Sequence, residues 1–175
     1  MTVDKGFRFA GTQRIILYGN AEAEQYVFVH VGPGRIVDRF SWLQFEHFLP
    51  TNTGTYDCAP KRTVEMGGLQ FIYDVKSWPD YAAMQAEDRD SDGAAIERLL
   101  KRRRFSFPHR AVRVRMFHLP STDHRTELMI IYGEALPQLS DVPVRQGGVE
   151  LDTESPSSAQ IFLDHARQCM FVWKK

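Results

Sequence analysis

The spacing of apolar residues limits what this chain can fold into, and that spacing changes period at Ser77. Upstream, Leu69, Phe71, Tyr73 and Val75 alternate with Gln70, Ile72, Asp74 and Lys76, the two-residue repeat of a strand. Ser77-Trp78-Pro79-Asp80 then supplies a capping residue, a first-turn proline and an acid at the capping-box position, which predicts a helix from about Trp78 to Glu87. A second helix, about Ala94 to Arg104, places Ile96, Leu99 and Leu100 on one stripe. The two-residue repeat returns in Val112, Val114 and Met116, with Arg113 and Arg115 outward, and Thr126 to Tyr132 is its partner strand. Ser155-Pro156 opens a last helix, to about residue 172, with Phe162, Ala166, Cys169, Met170 and Trp173 on one face.

The first half reads as strands. Arg14 to Tyr18 ends at a Gly19-Asn20 turn, and Tyr26 to Val31 is apolar on both faces except at His30. Gly32-Pro33-Gly34 turns the chain back into Ile36 to Leu49. There Ile36, Phe40 and Trp42 share one face under strict alternation, whereas Leu43, Phe45 and Leu49 share the other. Such a change of face predicts a β-bulge and a strongly curved sheet. The expected architecture is α+β: a curved, largely antiparallel sheet, barrel-like at its limit, with a helical insertion at about 78–104 and a C-terminal helix at about 156–172.

A length of 175 residues without a Pro/Gly/Ser linker or internal repeat predicts one domain over 1–175. With 43% hydrophobic and 25% charged residues the chain has a globular composition, not that of an extended disordered one. Lys plus Arg and Asp plus Glu number 22 each, so net charge supplies no reason to expect a nucleic acid or a membrane surface. No apolar run reaches the ~20 residues of a membrane helix. Met1 to Gly11 carries charges and no apolar signal core, which predicts a cytoplasmic protein, or an exported one whose signal has been removed. Cys58 and Cys169 match no metal or redox spacing and read as free thiols, one in a loop and one on a helix.

Charge is neutral overall but segregated. Asp88, Asp90 and Asp92 precede Gly93 in a D-x-D-x-D-G pattern, and eight cations follow between Arg98 and Arg115. The acidic loop resembles the first half of an EF-hand calcium loop. A bidentate acid belongs at its twelfth position, where this chain has Leu99. A helix-to-helix turn with Asp92 as N-cap is therefore expected, and no metal site. Lys101, Arg102, Arg103 and Arg104, with Arg113 and Arg115, form a candidate anion site, since guanidinium forks match phosphate. The same residues also suit a helix C-terminus and a protected strand edge.

Of the six histidines, His118 and His124 flank a short turn, whereas Glu46 and His47 project to opposite faces of a strand. None has a ligand spacing. Nucleophile elbows, phosphate loops, dinucleotide glycine patterns and cysteine knuckles are absent from the sequence, which turns expectation away from an enzyme and from a cofactor. The aromatic strands suggest a pocket for a small, largely apolar ligand, with Trp42, Phe45, Phe71 and Tyr73 as walls and Arg113 or His30 as polar anchors. Two other readings remain beside it: a polyanion-binding module built on residues 98–118, and an interaction protein without a small ligand.

Overall fold

The computed structural model describes residues 2–57, 62–78, 87–107, 110–135 and 156–171. The architecture is α+β. The described residues form nine strands: β1 (Thr2–Val3), β2 (Arg8–Leu17), β3 (Ala21–Val31), β4 (Val37–Phe48), β5 (Thr63–Met66), β6 (Leu69–Trp78), β7 (Ala111–His118), β8 (Thr126–Ala135) and β9 (Met170–Phe171). Helix α1 spans Asp92–Arg102 and α2 spans Pro156–Cys169. Seven strands make an antiparallel sheet in the order β2-β3-β4-β8-β7-β6-β5. The sheet stays open, with β2 and β5 as edges, so the barrel-like limit is not reached. β1 and β9 pair separately and tie the two ends of the chain together. No helix among the described residues is long and apolar enough to cross a membrane.

Each face of the sheet has its own helix. Ala159, Phe162, Leu163 and Ala166 of α2 pack on Phe71, Tyr73, Val75, Val112, Val114, Met116, Ile130 and Tyr132. Ile96, Leu99 and Leu100 of α1 pack on the opposite face, against Val27, Val29, Val37, Phe40, Trp42, Met129 and Ile131. β7 is covered on both sides, and its first four residues are all buried. Arg113 is only 9% exposed and therefore does not point outward as the alternation suggested. Alternation distinguishes two faces, but it cannot say that both are covered.

Double cover also explains the apparent change of face in β4. Phe40, Trp42, Gln44, Glu46 and Phe48 occupy one face and Ser41, Leu43, Phe45 and His47 the other, without interruption. The bulge lies earlier: register slips between His30/Arg39 and Val31/Val37, which leaves Asp38 as the extra residue. A second slip falls between Phe9 and Gly11. Such slips bend and twist the strands that carry them.

Other boundaries shift for local reasons. Ser77 and Trp78 continue β6, paired with Val112 and Ala111, so strand pairing overrides the capping signal there. The rest of the expected 78–87 helix lies outside the described residues apart from its last position. Ser91, not Asp92, caps α1: its hydroxyl accepts from the Ala94 amide at 3.2 Å. Helix α2 stops at Cys169 because Met170 and Phe171 pair with β1. Trp173 and Cys58 lie outside the described residues; Cys169 is a buried free thiol.

One contact sets how closely β4 and β8 approach. Phe40 lies directly opposite Gly133, and a Cβ on that glycine would sit 2.0 Å from the Phe40 Cζ. The ring fills the space and packs against Phe107, Trp42 and Trp78, with centroids 4.8, 5.8 and 6.0 Å away. Gly133→Ala is expected to destabilise the fold by ~2–3 kcal/mol through overpacking. Urea midpoints should show that Phe40→Leu, which shortens the offending ring, recovers part of the loss; strictly additive effects would mean the two residues do not compete for this space.

Candidate functional site

On the α1 side, the lower ends of β3, β4 and β8 meet the β2–β3 hairpin tip and the loop after β4 around a cavity of about 490 Å³. Its apolar lining comes from Leu17, Ala21, Phe48, Phe117 and Met129. The remainder is polar: Tyr18, Asn20, Asn52, Tyr56, four carboxylates (Glu46, Asp57, Asp92 and Glu127) and Arg115.

Local sequence accounts for each wall. Tyr18 and Gly19 both have positive φ, 49° and 67°, and Asn20 N–H donates to the Leu17 carbonyl at 2.8 Å. Tyr18 and Gly19 thus form the centre of a tight turn within a three-residue hairpin loop, Tyr18 to Asn20, closed by the Leu17–Ala21 pair. A tyrosine in this conformation is unusual, and its hydroxyl donates to Asp88 at 2.6 Å, joining hairpin to helix entry. The opposite wall is held by Arg125. Its guanidinium donates to the Leu49, Asn52 and Gly54 carbonyls at 3.1, 2.7 and 3.0 Å, and Tyr56 N–H donates to the His124 carbonyl. Phe48 and Tyr56 stack at 4.3 Å.

Glu46 ends a chain of side-chain hydrogen bonds that crosses three strands. Arg102 donates to Gln13 (3.1 Å), Gln13 to Gln25 (2.8 Å), Gln25 to Gln44 (2.7 Å) and Gln44 to Glu46 (2.8 Å). Gln13, Gln25 and Gln44 are register partners, and the last two are fully buried. Both ends fix the polarity, since a guanidinium only donates and a carboxylate only accepts. Tyr56 adds a second donor to Glu46 at 2.6 Å. Burial raises the Glu46 carboxyl above its ordinary value, and the bonds from Tyr56 and Gln44 oppose that rise.

Glu127 stands directly across from Glu46 in the register of β4 and β8. It accepts no hydrogen bond from the described residues. Burial, and then the charge of Glu46, push it up to about 7. Asp92, on the first turn of α1, is likewise raised by burial although its Oδ1 accepts from the Gly93 amide. Arg115 is already engaged by Asp74, whose Oδ2 accepts from its Nε at 3.0 Å and its NH2 at 2.6 Å. The same carboxylate takes Arg113 at 3.2 Å.

The residues expected to line an apolar pocket are divided between faces. Phe71 and Tyr73 lie in the α2 core, Trp42 lies in the α1 core, and Phe45 is 46% exposed on the α2-side face. His30 pairs with Asp38 at 2.6 Å, and Arg113 is bound to Asp74 beside the Trp78 ring. None of these six lines the cavity. The basic tract is split as well: Lys101, Arg102, Arg103 and Arg104 are exposed at the end of α1, whereas Arg113 and Arg115 turn inward. The acidic loop also diverges, with Asp88 on Tyr18 and Asp92 on the cavity. Among the described residues no group of three or more His, Cys, Asp or Glu is arranged to hold a metal.

Glu46, Glu127, Tyr56 and the glutamines belong to no sequence motif. Their signal is weak but present: Gln44 and Glu46 interrupt the apolar face that Phe40, Trp42 and Phe48 otherwise build. No family model, curated protein or solved structure matches this chain.

Glu127 makes stability depend on pH with a defined sign. Its folded value, about 7, exceeds the ~4.3 of an unfolded glutamate, so the native state holds the proton more tightly. Its contribution is fully favourable below pH ~4.3 and is lost as pH rises toward 7, at a cost of up to ~3 kcal/mol. Glu127→Gln should therefore be more stable than wild type at pH 8, with the gap narrowing toward pH 5. Urea midpoints at the two pH values test this; a gap independent of pH would show that Glu127 keeps an ordinary affinity for its proton.

Proposed function

We propose that this protein is a non-catalytic small-molecule-binding domain whose ligand occupies the cavity between the β3–β4–β8 sheet and the Tyr18 hairpin. The observation that carries this reading is a cavity of about 490 Å³ with an apolar wall facing a polar one. Pockets for organic ligands have this size and this mixture of surfaces. The ligand class is more polar than the aromatic strands alone suggested, because Glu46, Glu127 and Asp92 face the space. Among the described lining residues the candidate reactive groups are carboxylates and tyrosines, which we read as a ligand-binding set. A polyanion-binding role has less support. Two of its six arginine and lysine candidates are engaged by Asp74, and the cavity itself is rich in acids.

An uncharged solvatochromic dye such as Nile red should bind the native protein saturably, one molecule per chain. Asn20→Trp places an indole at an exposed turn position on the cavity rim and should weaken binding by ~10-fold or more, which is at least ~1.4 kcal/mol. Circular dichroism of that variant should be unchanged. Non-saturable dye uptake, or uptake indifferent to Asn20→Trp, would remove the cavity as the binding site.

A further inference from the structure

We propose that the cavity selects a cation: a protonated amine carried on an apolar body, with its ammonium between Glu46 and Glu127 and the body against Phe48, Phe117 and Met129. This rests on the small-molecule reading above and specifies the chemistry of its ligand.

The charge of the lining comes first. Four carboxylates face the space against one guanidinium, and Asp74 already holds that guanidinium at 2.6 Å. Glu46 and Glu127 are cross-strand partners, a placement that brings Cβ atoms within ~5.5 Å and makes like charges repel. An ammonium between them removes the repulsion and supplies donors where the walls supply acceptors. Glu46 is oriented for this from behind by Gln44 and Tyr56. Glu127, with no hydrogen bond from the described residues, has its acceptor capacity open.

An anion is poorly served by the same cavity. Besides Arg115, and Arg125 whose guanidinium donates to three loop carbonyls, the described residues bring one cationic device there, the N-terminus of α1. Its first free amides are taken: Gly93 by the Asp92 carboxylate at 2.6 Å, Ala94 by Ser91 Oγ at 3.2 Å, and Ala95 by the Ser91 carbonyl at 3.2 Å.

Ammonium binding must displace the proton that Glu127 holds near neutrality, so affinity is linked to pH. The groups around Glu127 are Glu46 on β4, Arg115 on β7 with Asp74 on β6, Asp92 on α1, Tyr18 in the hairpin, and Tyr56 and Asp57 in the loop after β4. Burial and then hydrogen bonds to Asp88 and Glu46 raise the Tyr18 and Tyr56 hydroxyls further above their ordinary values, so both stay neutral at physiological pH. With Glu127 titrating at about 7, the ionised fraction, and with it amine affinity, should rise ~10-fold between pH 6 and 8.

Three probes of nearly equal shape separate the outcomes: phenethylamine, 2-phenylethanol and phenylacetate, titrated calorimetrically into the full chain. At pH 8 the amine should bind at least ~10-fold more tightly than the alcohol, and phenylacetate should bind most weakly. Glu127→Gln should remove most of the amine's advantage over the alcohol and flatten the amine's pH profile. Equal binding of amine and alcohol, tighter binding of phenylacetate, or an amine preference that survives Glu127→Gln overturns the cation inference but leaves the cavity reading standing. If none of the three binds and Nile red is also silent, the cavity reading fails together with it.

Discussion

Gln13, Gln25 and Gln44, one from each of β2, β3 and β4, meet side by side beneath α1, and the cavity end of the molecule depends on their alignment. Each buried amide must donate and accept or pay the cost of desolvation. Register is the only variable that can satisfy all three, because a slip by one residue sends a side chain to the other face of the sheet. The ladder thus locks the pairing of three strands while pointing its last donor at Glu46. It also couples distant places: Arg102, at the far end of α1, terminates the chain that orients a carboxylate in the cavity. Removal of one glutamine would leave its neighbours unsatisfied in a low-dielectric interior, where polar networks are strong only when complete.

Around that ladder the sheet behaves as the middle of three layers. Helices on opposite faces let β4 and β7 be apolar on both sides, and the polar exceptions are then forced into pairs. Asp74 binds Arg113 and Arg115 under α1, while Tyr132, Glu134 and His165 form a separate hydrogen-bonded group on the α2 side. Arg113 shows the balance of effects. Burial lowers the affinity of its guanidinium for the proton, and Asp74 opposes that pull. Among the described residues these buried charges lie beside a partner, whereas Glu127 at the cavity accepts no hydrogen bond.

There the pattern inverts. Glu46, Asp92 and Glu127 are all raised by burial, and Glu46 and Glu127 face each other across adjacent strands. Two carboxylates opposed in this way, with only the shared guanidinium of Arg115 nearby, lower stability unless something else occupies the space. Strained or electrostatically uncomfortable groups concentrate at functional sites, because the fold elsewhere holds them in place. The positive φ of Tyr18 at the cavity rim belongs to the same class of local cost.

The period of the apolar residues by itself pointed to six of the seven strands of the sheet, helix α1 and most of α2, since alternation and the 3.6 repeat follow from backbone geometry alone; β5, four residues long, was too short to show a period. The change of face it suggested within β4 reflects cover on both sides of the strand, and the register slip lies earlier, at Asp38. What it left open was which face each strand presents to which helix. Trp42 and Phe71 are equally apolar and look alike in sequence, yet they lie on opposite sides of the sheet. Arg113 and Arg115 alternate as surface residues do, and only the packing of a second layer turned them inward to Asp74. Glu46 and Glu127 are separated by 80 intervening residues in the chain, and only the pairing of β4 with β8 places them opposite each other. Local propensity is written residue by residue; proximity across a sheet is decided by strand order, and strand order is a property of the whole fold.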